Sequence, residues 1–184
     1  YYLEQDLTIP LGKTLSIMEG VALRISDGVT ITIFGTFEAS SAVLSSTGQG
    51  DRWSGLVMES PYSNLLLDGT TLLEASPSIM FGGGNLAVDG GTISRSASSR
   101  ALIEVNEQVG GSFSLSNMRL TDGSSSCIDI IESTIQLHIS NADFYACNGP
   151  SIRAENANVV IDDIVIGEGS SDGFVLSSII GTIE

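Results

Sequence analysis

The sequence predicts an all-β fold, a parallel solenoid of about seven coils, and two observations carry that prediction. The first is a unit that recurs five times: apolar, any, apolar, then Asp or Ser, then Gly, Asn or Asp, two free positions, and apolar again. Its copies run Leu65 to Leu72, Leu86 to Ile93, Phe113 to Leu120, Leu137 to Phe144 and Val159 to Ile166, with starts 21, 27, 24 and 22 residues apart. A period of that size belongs to stacked repeats. The second observation is the lack of any long helical period, alongside scattered glycines and β-branched residues that disfavour helices.

Each element of the unit has a physical reading. An apolar-any-apolar triplet is a short strand that shows one face to a core, because side chains alternate along a strand. The next two positions form a corner. Gly69, Gly90, Asn117, Asn141 and Asp163 share one place in it, and these residue types accept a left-handed backbone at least cost. About 14 to 16 residues after each start comes a second apolar strand: Ile79 to Phe81, Leu102-Ile103, Cys127 to Ile131, Ser151 to Ala154 and Phe174 to Leu176. One such unit cannot bury its apolar side alone, so copies stack with equivalent strands parallel.

The amino-terminal third follows the same logic in looser register. Leu7/Ile9, Leu15/Ile17, Val21/Leu23/Ile25 and Ile31/Ile33 alternate, broken by Pro10-Leu11-Gly12, Glu19-Gly20 and Asp27-Gly28. Ile31 to Phe37 reads as an imperfect early copy of the unit. The surplus before Leu65 is assigned to an exposed loop, Ser45 to Asp51, rich in Ser, Gly and polar residues.

Leu7 to Ile17, Glu19-Gly20-Val21, Phe34 to Ala39 and Trp53-Ser54-Gly55-Leu56 together resemble the opening coils of right-handed parallel β-helix proteins, the pectin-lyase-like superfamily. The likeness is nearest to β-helix regions of large secreted or surface proteins of bacteria and archaea, and it covers the whole chain. It implies a single right-handed β-helix domain over residues 1–184, extracellular or at the cell surface. It does not imply one activity, since this scaffold hosts lyases, glycosidases, adhesins and spikes.

Composition narrows the partners. Acidic residues outnumber basic ones 22 to 7, the formal net charge is −15, and Lys13 is the only lysine. Nucleic acid and anionic membranes are therefore unfavourable partners, and no apolar run is long enough to insert in a membrane. The charge suits solubility in saline water or capture of calcium; a solvated acidic surface is the plainer reading. Neither end carries an evident polar cap, and open strand edges invite stacking. The expectation is an excerpt from a longer chain or head-to-tail self-association, with a cap formed by residues 1 to 6 and by the last strand as the equal alternative.

Cys127 and Cys147 are 20 residues apart, slightly less than one coil, so stacking brings them within reach of a disulfide; two separately buried thiols are the alternative.

The search for chemistry yields no catalytic, cofactor or metal set. As a family, lyases on this scaffold use a basic residue beside carboxylates that hold calcium, and related hydrolases use paired aspartates with a histidine and an Arg-Ile-Lys clamp. Asp162-Asp163 fits the paired acid superficially, but both residues fall at repeat positions taken elsewhere by Ser140-Asn141 and Asp68-Gly69, which makes them turn residues. His138, the only histidine, is expected to point outward between Leu137 and Ile139. Arg153 stacks on Asp129 as a cross-strand ion pair. A glycan contact is expected at Asp51, Trp53 and Tyr62, aromatics beside a polar loop, although in the family pattern a tryptophan before Gly-Leu is a packing residue. The reading is a non-catalytic surface module that is rigid, adhesive or self-assembling, with a carbohydrate-binding or carbohydrate-active domain as the runner-up.

Overall fold

A computed structural model describes residues 1–48, 52–95, 100–106, 110–167 and 173–183. Among them the chain forms 21 strands and no helix, and every strand pairing is parallel. The strands stack as a β-solenoid of about seven turns.

Each turn visits three faces. Face one is an eight-stranded sheet that starts at Leu7–Ile9, passes Thr30–Ile33, Gly55–Met58, Ile79–Phe81, Ile103–Val105, Ile128–Ile131 and Ile152–Glu155, and ends at Phe174–Ser177. Face two begins at Thr14–Ile17 and Thr36–Ser40 and ends at Ile180–Ile183. Face three begins at Tyr2–Leu3, Ala22–Ile25 and Val43–Ser46. In the later coils faces two and three are the two arms of single bent strands, Gly111–Thr121, Gln136–Tyr145 and Asn158–Ile166.

Register turns the apolar triplets into columns. On face one, Leu7, Ile31, Leu56, Ile79, Ile103, Ile128, Ile152 and Phe174 stand above one another. Phe37, Leu65, Leu86, Phe113, Leu137 and Val159 do the same on face two. Leu44, Leu72, Ile93, Leu120 and Phe144 do so on face three. These columns meet in one core that runs from Ile9 to Ile161, tied across faces by Phe81 packing edge-on to Phe113 at 5.4 Å.

Three corners separate the faces, and each bends through residues at positive φ. The second corner, between faces two and three, contains all five residues expected there, with φ of 55° at Gly69, 73° at Gly90, 54° at Asn117, 46° at Asn141 and 48° at Asp163. The third corner holds Glu74, Arg95, Asp122 and Ala146 at φ of 51° to 66°, and the first holds Glu132, Asn156 and Ser178 at 50° to 54°. The reason is shared. Backbone N–H groups at these corners donate to carbonyls of the next coil, as from Gly69 to Asp89 at 2.7 Å, Glu74 to Ser94 at 3.0 Å and Glu132 to Glu155 at 3.0 Å. The ladder thus continues around the bends, where these N–H groups find partners in the next coil.

Two expectations about the early coils are corrected. The first complete copy of the unit is Phe37 to Leu44, because Phe37 pairs with Leu65 and Ser41 makes the corner at φ 46°. Ile31 belongs instead to face one. The loop assigned to Ser45 to Asp51 starts later: Ser45 and Ser46 close a strand and are buried. Their hydroxyls are engaged, Ser45 Oγ accepting from Arg24 at 2.9 Å and Ser46 Oγ donating to Glu74 at 2.7 Å. Two serines at a strand end look like loop composition until the neighbouring coils supply their partners.

Candidate functional site

The residues expected to contact a glycan do not form one site. Asp51 lies outside the described residues. Trp53 is fully buried, and its indole Nε1 donates to the Leu73 carbonyl at 2.9 Å. With no ring face open to solvent, Trp53 is a packing residue, which corrects its assignment as a sugar platform. Tyr62 is 67% exposed, but it sits at the opposite end of the Gly55–Met58 strand from Trp53.

Beside Tyr62 runs a ladder of side-chain hydrogen bonds that the apolar repeat does not point to. Asn64 Nδ2 donates to the Tyr62 carbonyl at 3.2 Å, Asn85 Nδ2 donates to Asn64 Oδ1 at 3.0 Å, and Ser112 Oγ donates to Asn85 Oδ1 at 3.0 Å. These residues immediately precede Leu65, Leu86 and Phe113, so a polar residue recurring before each triplet was the available signal.

Cys127 and Cys147 form a disulfide with a Cα–Cα separation of 5.6 Å, and both are fully buried. It joins the start of a face-one strand to the turn that follows the third corner one coil later, across consecutive coils.

The second corner carries a side-chain ladder with a direction. Asn141 Nδ2 donates to Asn117 Oδ1 at 2.5 Å, and Asn117 Nδ2 donates to Asp89 Oδ1 at 2.5 Å. The series therefore ends on a carboxylate, which can only accept. Hydrogen bonds from Asn117 and then Ser116 hold the exposed Asp89 carboxyl below its ordinary value. Alongside is an open polar concavity of about 480 Å³ that includes Thr92, Asn117, Arg119, Asn141 and Asp143. Arg119 pairs with Asp143 at 3.3 Å and lies 5.3 Å from the Tyr145 ring centroid. Its charge is thus engaged twice within the protein.

A second charged column lies on the outside of face one. Glu104, Asp129 and Arg153 are in register on successive strands. Arg100 donates to Glu104, with its Nε at 2.9 Å, and Arg153 Nε stands 4.0 Å from Asp129 Oδ1. Partial burial pushes the Asp129 carboxyl up, Arg153 draws it back, and Glu104 and Glu155 push it up further. The Arg100–Glu104 pair is hydrogen-bonded, whereas Asp129 Oδ1 is buried without a hydrogen bond and has Arg153 only at 4.0 Å. Such partly exposed pairs contribute about 0–1 kcal/mol each.

His138 is exposed and stands in register between Ser114 and Val160. Asp162 and Asp163 are exposed, with Asp163 in the second-corner column. Among the described residues no three His, Cys, Asp or Glu side chains converge on a point where a metal ion would be held, and no helix is long and apolar enough to cross a membrane. The chain matches no protein-family model, no curated protein and no solved structure.

Proposed function

We propose that this chain is a right-handed β-helix of the pectin-lyase-like kind, acting as a rigid, non-catalytic module of an extracellular or cell-surface protein. The observation that carries this reading is the unbroken core from Ile9 to Ile161, with backbone ladders that continue around the corners. Such a solenoid resists bending because each coil is hydrogen-bonded to the next along its faces. The buried Cys127–Cys147 disulfide supports an oxidising compartment. The charged columns fit the same reading, since Arg119 and Arg153 each face a carboxylate of the neighbouring coil.

A specific observation favours carbohydrate binding as the second reading. Tyr62 is an exposed ring beside the Asn64, Asn85 and Ser112 ladder, and neutral sugars are bound by aromatic faces with amides at their edges.

A panel of polysaccharides assayed for cleavage and for binding separates the two. The structural reading expects no turnover by the protein or by Asp129→Asn. Turnover that disappears in Asp129→Asn overturns it. Saturable glycan binding lost in Tyr62→Ala establishes the second reading.

A further inference from the structure

The turn from Cys147 to Pro150 holds the chain's only Asn-Gly step, Asn148-Gly149. In such a step the glycine nitrogen can attack the side-chain amide carbon of the asparagine, since glycine has no Cβ to crowd the approach. Asn117, Asn141 and Asn156 precede Met118, Ala142 and Ala157, which do crowd it. Asn148 is also exposed, so water reaches its side chain. The backbone is what opposes the reaction. Gly149 N–H donates to the Ser125 carbonyl at 3.0 Å, Asn148 N–H donates to the Gly123 carbonyl at 2.8 Å, and Cys127 N–H donates back to the Pro150 carbonyl at 3.2 Å. A Cβ built on Gly149 would lie 3.0 Å from Ser126 N, so this backbone packs closely on the turn of the preceding coil. The Cys127–Cys147 disulfide clamps the same two turns together.

We infer that Asn148 is a modification site, a succinimide-forming asparagine that the disulfide-clamped turn keeps shut. To react, Gly149 N must leave the Ser125 carbonyl and move onto Asn148 Cγ, which the three hydrogen bonds and the disulfide together oppose. In chains whose disulfide has not formed, only the hydrogen bonds remain, and the turn opens locally at lower cost. The Gly149 N–Cγ bond then forms as the Cγ–Nδ2 bond breaks, and the displaced nitrogen leaves as ammonia with the glycine proton. Water opens the ring at either carbonyl. One product is aspartate. The other is isoaspartate, in which the main chain runs through the former side chain and gains a methylene. That longer main chain cannot remake all three hydrogen bonds at their present spacing. The modification thus marks, irreversibly, a molecule that lacked its disulfide.

Peptide mapping of the full chain, aged in mildly alkaline buffer, tests the site. The native parent with its disulfide intact is compared with Cys127→Ala/Cys147→Ala, and with the parent held unfolded in guanidinium without reductant, which sets the unrestrained rate. Conversion at Asn148 is expected to be about tenfold or more faster in the alanine pair than in the native parent, the factor that losing one restraint of ordinary strength allows. It is expected to yield isoaspartate as well as aspartate, while Asn117, Asn141 and Asn156 lag in the same digests. Gly149→Ala, compared with the parent when both are unfolded, is expected to suppress it. A native parent that converts as fast as the unfolded one overturns the inference, whether or not the alanine pair keeps its fold. So does an alanine pair that converts no faster than the native parent. Aspartate without isoaspartate, or an unfolded Gly149→Ala as reactive as the unfolded parent, marks direct hydrolysis and overturns it too.

Discussion

The second and third corners make the same turn with different residues. Both run at φ near +50° to +70° along much of the rod. The second is built from Gly69, Gly90, Asn117, Asn141 and Asp163, which tolerate that backbone. The third uses Glu74, Arg95, Asp122 and Ala146, of which only the aspartate is a usual choice. Stacking explains the difference. An N–H at either corner must reach a carbonyl of the next coil, and that requirement selects the conformation whatever the side chain. Residue type then sets only how much strain remains. At the third corner side chains take up structural partners, as Glu74 does with Ser46 at 2.7 Å and Arg95 at 3.3 Å.

Substitutions at the two corners test that account. The largest effect is expected at Gly91, next to Gly90, where φ is 91° and an added Cβ would lie 2.0 Å from the Thr70 carbonyl oxygen. Gly91→Ala should cost about 3 kcal/mol or more, read from denaturant midpoints, because backbone of the neighbouring coil has to move. A guanidinium midpoint unchanged from the parent's would show that this corner is looser than the geometry requires.

Replacing Cys127 and Cys147 together by alanine should cost about 3 kcal/mol by the loop-closure argument. The third corner and its following turn should then lose hydrogen-exchange protection before the second does, since the disulfide anchors that turn. Uniform loss of protection would contradict this. Asn141→Val should destabilise by about 1–2 kcal/mol, since a β-branched residue fits the left-handed region poorly and the ladder to Asn117 is broken. An unchanged thermal melt would remove the left-handed reading of that corner.

Ala146→Gly should have the opposite sign, raising stability by about 0.5–1 kcal/mol, because φ of 51° strains an alanine and not a glycine. A loss of stability would mean that the alanine methyl contributes more in packing than its backbone costs. The smallest effect concerns acid. Asp89 is held below its ordinary value of 3.8 in the folded protein, so its contribution is present above that pH and is lost as pH falls through and beneath it. Asn117→Ala should therefore show a shallower loss of stability on acidification through that range than the parent. Identical pH profiles would show that the amide does not act on the carboxylate.

Other parts of the molecule were unequally legible. Trp53 and Tyr62 look equivalent as aromatics near polar turns, yet one is sealed in the core and the other stands open. Adjacent sequence carries no trace of Leu73, the carbonyl that accepts the indole N–H from one coil away. The Asn64, Asn85 and Ser112 ladder is legible only once copies are aligned, because its hydrogen bonds join residues more than 20 apart. Ser45 and Ser46 mislead for the same reason, since their partners Arg24 and Glu74 belong to other coils.

By itself the sequence determined the solenoid, its period and the second corner, because apolar alternation and the Gly/Asn/Asp preference for a left-handed backbone are local properties repeated in every copy. The cysteine spacing, close to one coil, likewise placed the pair within reach. Tertiary structure decided the rest: the first and third corners, the early register from Phe37, the burial of Trp53 and the pairing of charges along the outer columns. Each depends on what the neighbouring coil presents about 4.8 Å away, and a linear sequence expresses that only through residues some twenty positions distant.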